Sequence, residues 1–132
     1  MFHDYGKMYE YNAESREITE SMPLLGHIFI GAHSLMNLCN AYNGMVQNSV
    51  DAKDGKYSEV DFLSRREIEC AVHCVLAHHS KQEWGSPVVP AIPEAWFLYS
   101  VDEMSGKLYQ YRNATHMEKS FFLGTNVIKE TK

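Results

Sequence analysis

The chain has 132 residues, with 12 Lys plus Arg against 17 Asp plus Glu and 45% hydrophobic residues, which fits one globular domain over residues 1–132 and excludes two independent ones. A formal charge of −5 excludes a broad electrostatic footprint for duplex nucleic acid, because such footprints are built from clustered Lys and Arg. The longest apolar runs, such as Ala95-Trp96-Phe97-Leu98-Tyr99, are about a quarter of the ~20 residues that cross a bilayer.

The N-terminal run Met1-Phe2-His3-Asp4-Tyr5-Gly6-Lys7 places charges where a secretory signal has its apolar stretch, so no membrane association and a cytoplasmic location are expected. From Leu24 to about Tyr42, Leu24, Leu25, Ile28, Ile30, Leu35, Met36 and Leu38 recur at three and four spacings and predict a largely buried helix. Residues 43–64 are polar and hold the turn dipeptides Asn43-Gly44 and Asp54-Gly55, which reads as a surface connection. Ser64 followed by Glu67 forms a capping-box pattern, and the spacing behind it predicts a helix from about Arg65 to His79. Gly85-Ser86-Pro87 and Pro90 break the chain, and Pro93 opens a helix to about Ser105. The tail from Gly106 has no assignable period. The class is all-α. Cys39, Cys70 and Cys74 are an odd set with no disulfide framework and read as reduced core thiols.

Four places carry chemistry. The neighbours His3 and Asp4 suit either a solvated polar pair or two ligands of one ion. His27, in the apolar stretch Leu24-Leu25-Gly26-His27-Ile28, needs a hydrogen-bond partner or a metal. His78-His79 at a helix end suit a metal or the helix dipole, and Asp102 on an apolar helix suits a salt bridge or a cation. His33, His73 and His116 fit no motif and read as ordinary helix or surface residues.

The order His-Asp, His, His-His, Asp on separate helices resembles the HD-domain metal-dependent phosphohydrolases. Phe2-His3-Asp4-Tyr5-Gly6-Lys7 looks like their signature hHDxGK, and Leu76-Ala77-His78-His79-Ser80-Lys81-Gln82-Glu83-Trp84-Gly85-Ser86-Pro87 is similar to the LSHHGxxExGSP run of the YhaM-type 3'-to-5' exoribonucleases. The likeness spans roughly residues 1–107, leaving 108–132 as a tail. It implies an HD-like helical bundle, shortened at its N-terminus, because the family's upstream histidine and its OB-fold have no counterpart here. It implies that His3, Asp4 and Asp102 bind one divalent ion and that Asp4 bridges to a second held by His27 with one or both of His78 and His79. The implied cofactor is one or two divalent ions of Mn, Fe, Zn, Ni or Mg. Asp4 and Lys7 are the implied catalytic pair, Lys7 facing the phosphate. Lys81, Glu83, Trp84, Gly85 and Ser86 are implied to line the substrate side, Trp84 either stacking on a base or packing as an ordinary aromatic. The implied activity is metal-dependent phosphohydrolysis of single-stranded RNA, or else of nucleotides, or the chain is a catalytically impaired metal- or nucleotide-binding module working with a partner chain. A shortened bundle implies a homo-oligomer or a partner chain that covers its apolar face.

Overall fold

Pro23 sits in the first turn of the longest helix, where its missing N–H removes no helical hydrogen bond. A computed structural model describes residues 2–113, 118–120 and 124–127. A 3-10 turn over Phe2–Asp4 leads into the short helix α1 (Lys7–Glu10), then α2 (Ser21–Ala52), α3 (Arg65–Leu76) and α4 (Pro93–Asn113). A small antiparallel hairpin, β1 (Glu118–Ser120) with β2 (Thr125–Val127), pairs Lys119 with Asn126. The described residues are therefore predominantly helical, as the all-α expectation has it, with this hairpin as the departure.

Helix α2 runs ten residues past its expected end, and the Asn43-Gly44 turn does not form. Tertiary contacts override the local signal. The Asn43 amide donates to the Leu63 carbonyl and accepts from the Leu63 N–H, both at 2.9 Å, while Val46 one turn on and Ser49 nearly two turns on are buried. The helix stops only at Lys53, whose left-handed backbone returns its N–H to the Ser49 and Val50 carbonyls, and Asp54-Gly55 forms the turn there. Helix α3 starts as expected, with the reciprocal Ser64–Glu67 capping box present. It ends at Leu76, three residues short of the expected His79, so both histidines lie on the turn beyond the helix. Helix α4 continues eight residues beyond Ser105, and a Glu103–Lys107 ion pair at 2.8 Å spans Gly106, returning about half or less of the ~1 kcal/mol that a mid-helix glycine costs.

Helix α2 packs against α1 and α3, and α4 against α3. Ala32, Val72 and Val75 form the buried core, with Leu35, Ile68 and Leu76 against it. The cysteines are free, as expected, Cys39 being buried. His33 bonds Asn37 along α2, and His73 accepts the Ala91 N–H, while His116 lies outside the described residues. Helix α2 also has the length and composition of a bilayer-crossing segment, with a mean hydropathy of 1.2 over its most apolar window, only 22% of it buried. Core helices of soluble proteins share that length and composition but are mostly buried, whereas α2 is not the largely buried helix expected, since Leu24, Leu25, Phe29, Met36 and Leu38 are exposed; α2 by itself does not locate the protein.

Candidate metal centre

Two glycines bring the N-terminal turn onto α2. At Gly26 the backbone takes φ 68 and ψ 153, a kink that interrupts the helical ladder and frees the His27 N–H. Gly6 passes so close to this kink that a Cβ there would clash with the His27 carbonyl oxygen. The 3-10 turn carrying His3 and Asp4 is thereby pressed against the start of α2.

Glu10, 4% exposed, takes up the freed group. Its Oε1 accepts the His27 backbone N–H at 2.7 Å and meets His27 Nδ1 at 3.2 Å. A carboxylate oxygen that already accepts the backbone N–H takes the ring proton as well, so Nδ1 carries the hydrogen and Nε2 is the free lone pair. The same logic holds at the end of α3. His78 Nδ1 donates to the Val75 carbonyl at 2.6 Å and His79 Nδ1 donates to the Trp84 carbonyl at 2.9 Å. Carbonyls only accept, so both rings keep a bare Nε2. Burial drives the His78 pKa down to about 4, leaving its imidazole neutral and ready to ligate.

Asp4 lies at the centre. Its Oδ1 faces His27 Nε2 at 3.8 Å and His78 Nε2 at 3.7 Å, while Oδ2 faces His3 Nε2 at 3.4 Å and the Lys7 ammonium at 2.8 Å. Partial burial works to raise the Asp4 pKa, but the Lys7 hydrogen bond and charge, with help from His3 and His78, hold it below the usual carboxylate range. Asp102, from the middle of α4, reaches His3 Nε2 at 3.3 Å.

Among the described residues, both ring nitrogens of His3, Asp4 Oδ1, His27 Nε2 and His78 Nε2 are buried without a hydrogen-bond partner. Such atoms are individually costly and rare. Here they converge. His27, His78 and His79 offer ligand atoms within 4.8 Å of one another, and so do His3, Asp4 and His78. Ligands sharing an ion at ~2.1 Å lie within about that span of each other, so both groups fit a divalent cation. The mixed imidazole and carboxylate donors suit Mn, Fe, Zn or Ni better than an all-oxygen Mg site.

Five of the six expected ligands thus fall into two adjoining groups that share His78, and Asp102 stands against His3 alone. Glu10 went unnoticed in the sequence, where nothing local ties it to a histidine seventeen residues on. Of the expected substrate-side residues, Lys81, Glu83 and Trp84 are exposed around the 3-10 turn Gln82–Trp84, and Gly85 ends that turn in the left-handed region. Ser86 is instead buried. Its hydroxyl lies 2.9 Å from the Leu76 carbonyl and 2.8 Å from that of Val88, so its side chain braces the loop. No protein-family model matches this chain, and no solved structure matches it.

Proposed function

We propose that the protein is a metal-dependent phosphohydrolase acting on phosphodiester or nucleotide phosphates, with an HD-like site and a likeness to 3'-to-5' exoribonucleases. The observation that carries this reading is the convergence of buried, unpartnered Nε2 and Oδ1 atoms of His3, Asp4, His27 and His78 on one place. His3, Asp4, His27, His78 and His79 would hold one or two divalent cations, with Asp102 behind His3. Bound there, such ions stabilise negative charge on a phosphoryl oxygen and make water nucleophilic at neutral pH.

The side chains supply the rest. Asp4 offers one oxygen to each histidine group, which suits a bridging carboxylate. Lys7, half exposed beside it, is a compact mobile ammonium that can leave Asp4 for a phosphate oxygen as charge builds there. Glu10, Val75 O and Trp84 O fix the imidazole tautomers, so no proton has to move before ligation. A homo-oligomer or partner chain over the exposed apolar residues of α4, among them Phe97 and Met104, belongs to the same reading.

The test is Mn²⁺-dependent hydrolysis of bis-p-nitrophenyl phosphate by the unaltered protein and by Asp4→Ala. Activity that needs metal and disappears in Asp4→Ala with helical content intact supports the reading. Equal rates in both proteins trace the activity to a contaminant, and no activity in either removes the hydrolase assignment.

A further inference from the structure

Next to His79 the chain carries an array of rings that the ligand set does not use. The Trp84 and Tyr99 ring centres are 6.5 Å apart with 36° between their planes, and Tyr99 and Trp96 are 5.5 Å apart at 61°. Trp84 is 47% and Trp96 54% exposed, with Tyr99 half-buried between them. The Tyr99 hydroxyl is held by Glu103, which Lys107 pairs at 2.8 Å. The array begins at the metal groups, because the Trp84 carbonyl receives the His79 Nδ1–H. Lys81 stands at this junction, its ammonium 4.2 Å from the Trp84 ring centre and 3.6 Å from Glu83.

We propose that Trp84, Tyr99 and Trp96 form a stacking surface for the unpaired bases of a single-stranded oligonucleotide whose backbone passes Lys81 toward His79. This deepens the phosphodiesterase reading and rests on it for what happens at the histidines. The tilt between the rings suits bases splayed apart, each on its own ring, and a duplex hides the base faces such rings need. Charge points the same way. The chain carries −5, and the two lysines beside the array, Lys81 and Lys107, are each paired with a glutamate, so base faces and not a phosphate-tracking groove must supply the affinity. Three rings across two elements also exceed what one nucleobase covers, which selects an oligomer over a mononucleotide.

Both tryptophans of the chain lie in the array, so selectively excited tryptophan emission reports on this surface. The whole protein in EDTA is titrated with a short oligouridylate, with uridine monophosphate and with base-free polyphosphate. The expected result is saturable quenching by the oligouridylate, at least about tenfold tighter than by the mononucleotide and absent with polyphosphate. Trp84→Leu and Trp96→Leu, each keeping the other tryptophan as reporter and a helical spectrum equal to the parent's, should each weaken binding about tenfold. Three results overturn the proposal: no quenching by the oligouridylate, equal quenching by polyphosphate, or unchanged affinity in both variants. Quenching that grows with protein concentration alone assigns the array to a second copy of the chain and overturns it too. Since the titration contains no metal, its failure leaves the hydrolase reading standing, and stacking without any hydrolysis removes that reading while keeping the array.

Discussion

Glu10 Oε1 accepts both the backbone N–H and the ring Nδ1–H of His27, at 2.7 and 3.2 Å, from a position almost closed to solvent. One carboxylate oxygen therefore sets the backbone kink and the ring tautomer together. Removing it frees the ring to turn and leaves a buried N–H unpaired. Glu10→Ala should weaken Mn²⁺ or Zn²⁺ binding by roughly 10- to 100-fold, the range typical for partners that orient metal ligands. Isothermal titration calorimetry measures this directly, and an unchanged affinity would show that His27 does not ligate.

Gly6→Ala tests the contact between the N-terminal turn and α2. A methyl group at Gly6 meets the His27 carbonyl, which is backbone and has no rotamer to escape into. The expected cost is about 3 kcal/mol in urea unfolding, the upper end for overpacking. Metal affinity should fall with it, because the turn that moves away holds His3 and Asp4. A neutral substitution would mean that the turn is not packed on α2 as described.

His78 makes the metal-free protein acid-sensitive. Its folded pKa is about 4 against an ordinary 6.5, so between those values the unfolded chain binds the proton more readily. The stabilisation is complete above about pH 6.5 and is lost as pH falls toward 4. Between pH 7 and 4 the loss is about 3 kcal/mol. Asp4 has the same sign, since its lowered pKa adds stability that disappears in more acidic solution. Thermal melts in EDTA between pH 7 and 4 should show the slope, and His78→Asn should flatten it.

Asn43→Ala should destabilise the protein by about 2 kcal/mol, as it removes two hydrogen bonds and strands the Leu63 backbone groups. The Asn43–Leu63 pair is remote from the histidines, so metal affinity should stay at the parent level. Chemical denaturation and calorimetry on the same variant separate the two effects.

The legible part of the sequence was local. Ser64 and Glu67 mark the start of α3 because a capping box is written in two residues three apart, and Pro93 marks α4 for a similar reason. The extension of α2 was hidden because Asn43, a turn former by propensity, spends its amide on Leu63 twenty residues away. His3, Asp4, His27, His78 and His79 were visible as residue types in an order, and their convergence follows from the fold. Glu10 and the buried Ser86 were illegible, because each is defined by the backbone it touches and not by its neighbours in sequence. Tyr99 and Trp96 looked like ordinary members of an apolar helix until α4 set them beside Trp84.

The rings of His3 and His78 lie 4.9 Å apart across 75 positions of chain. Bringing them together closes a long loop, whose entropic cost falls on the folding reaction and has to be met before the contact exists. The capping box of α3 and the α2–α3 core can form ahead of that closure. During refolding, helical circular dichroism should therefore recover before the cluster can capture an ion, and the lag between the two signals measures the docking of residues 2–4 onto an already helical core.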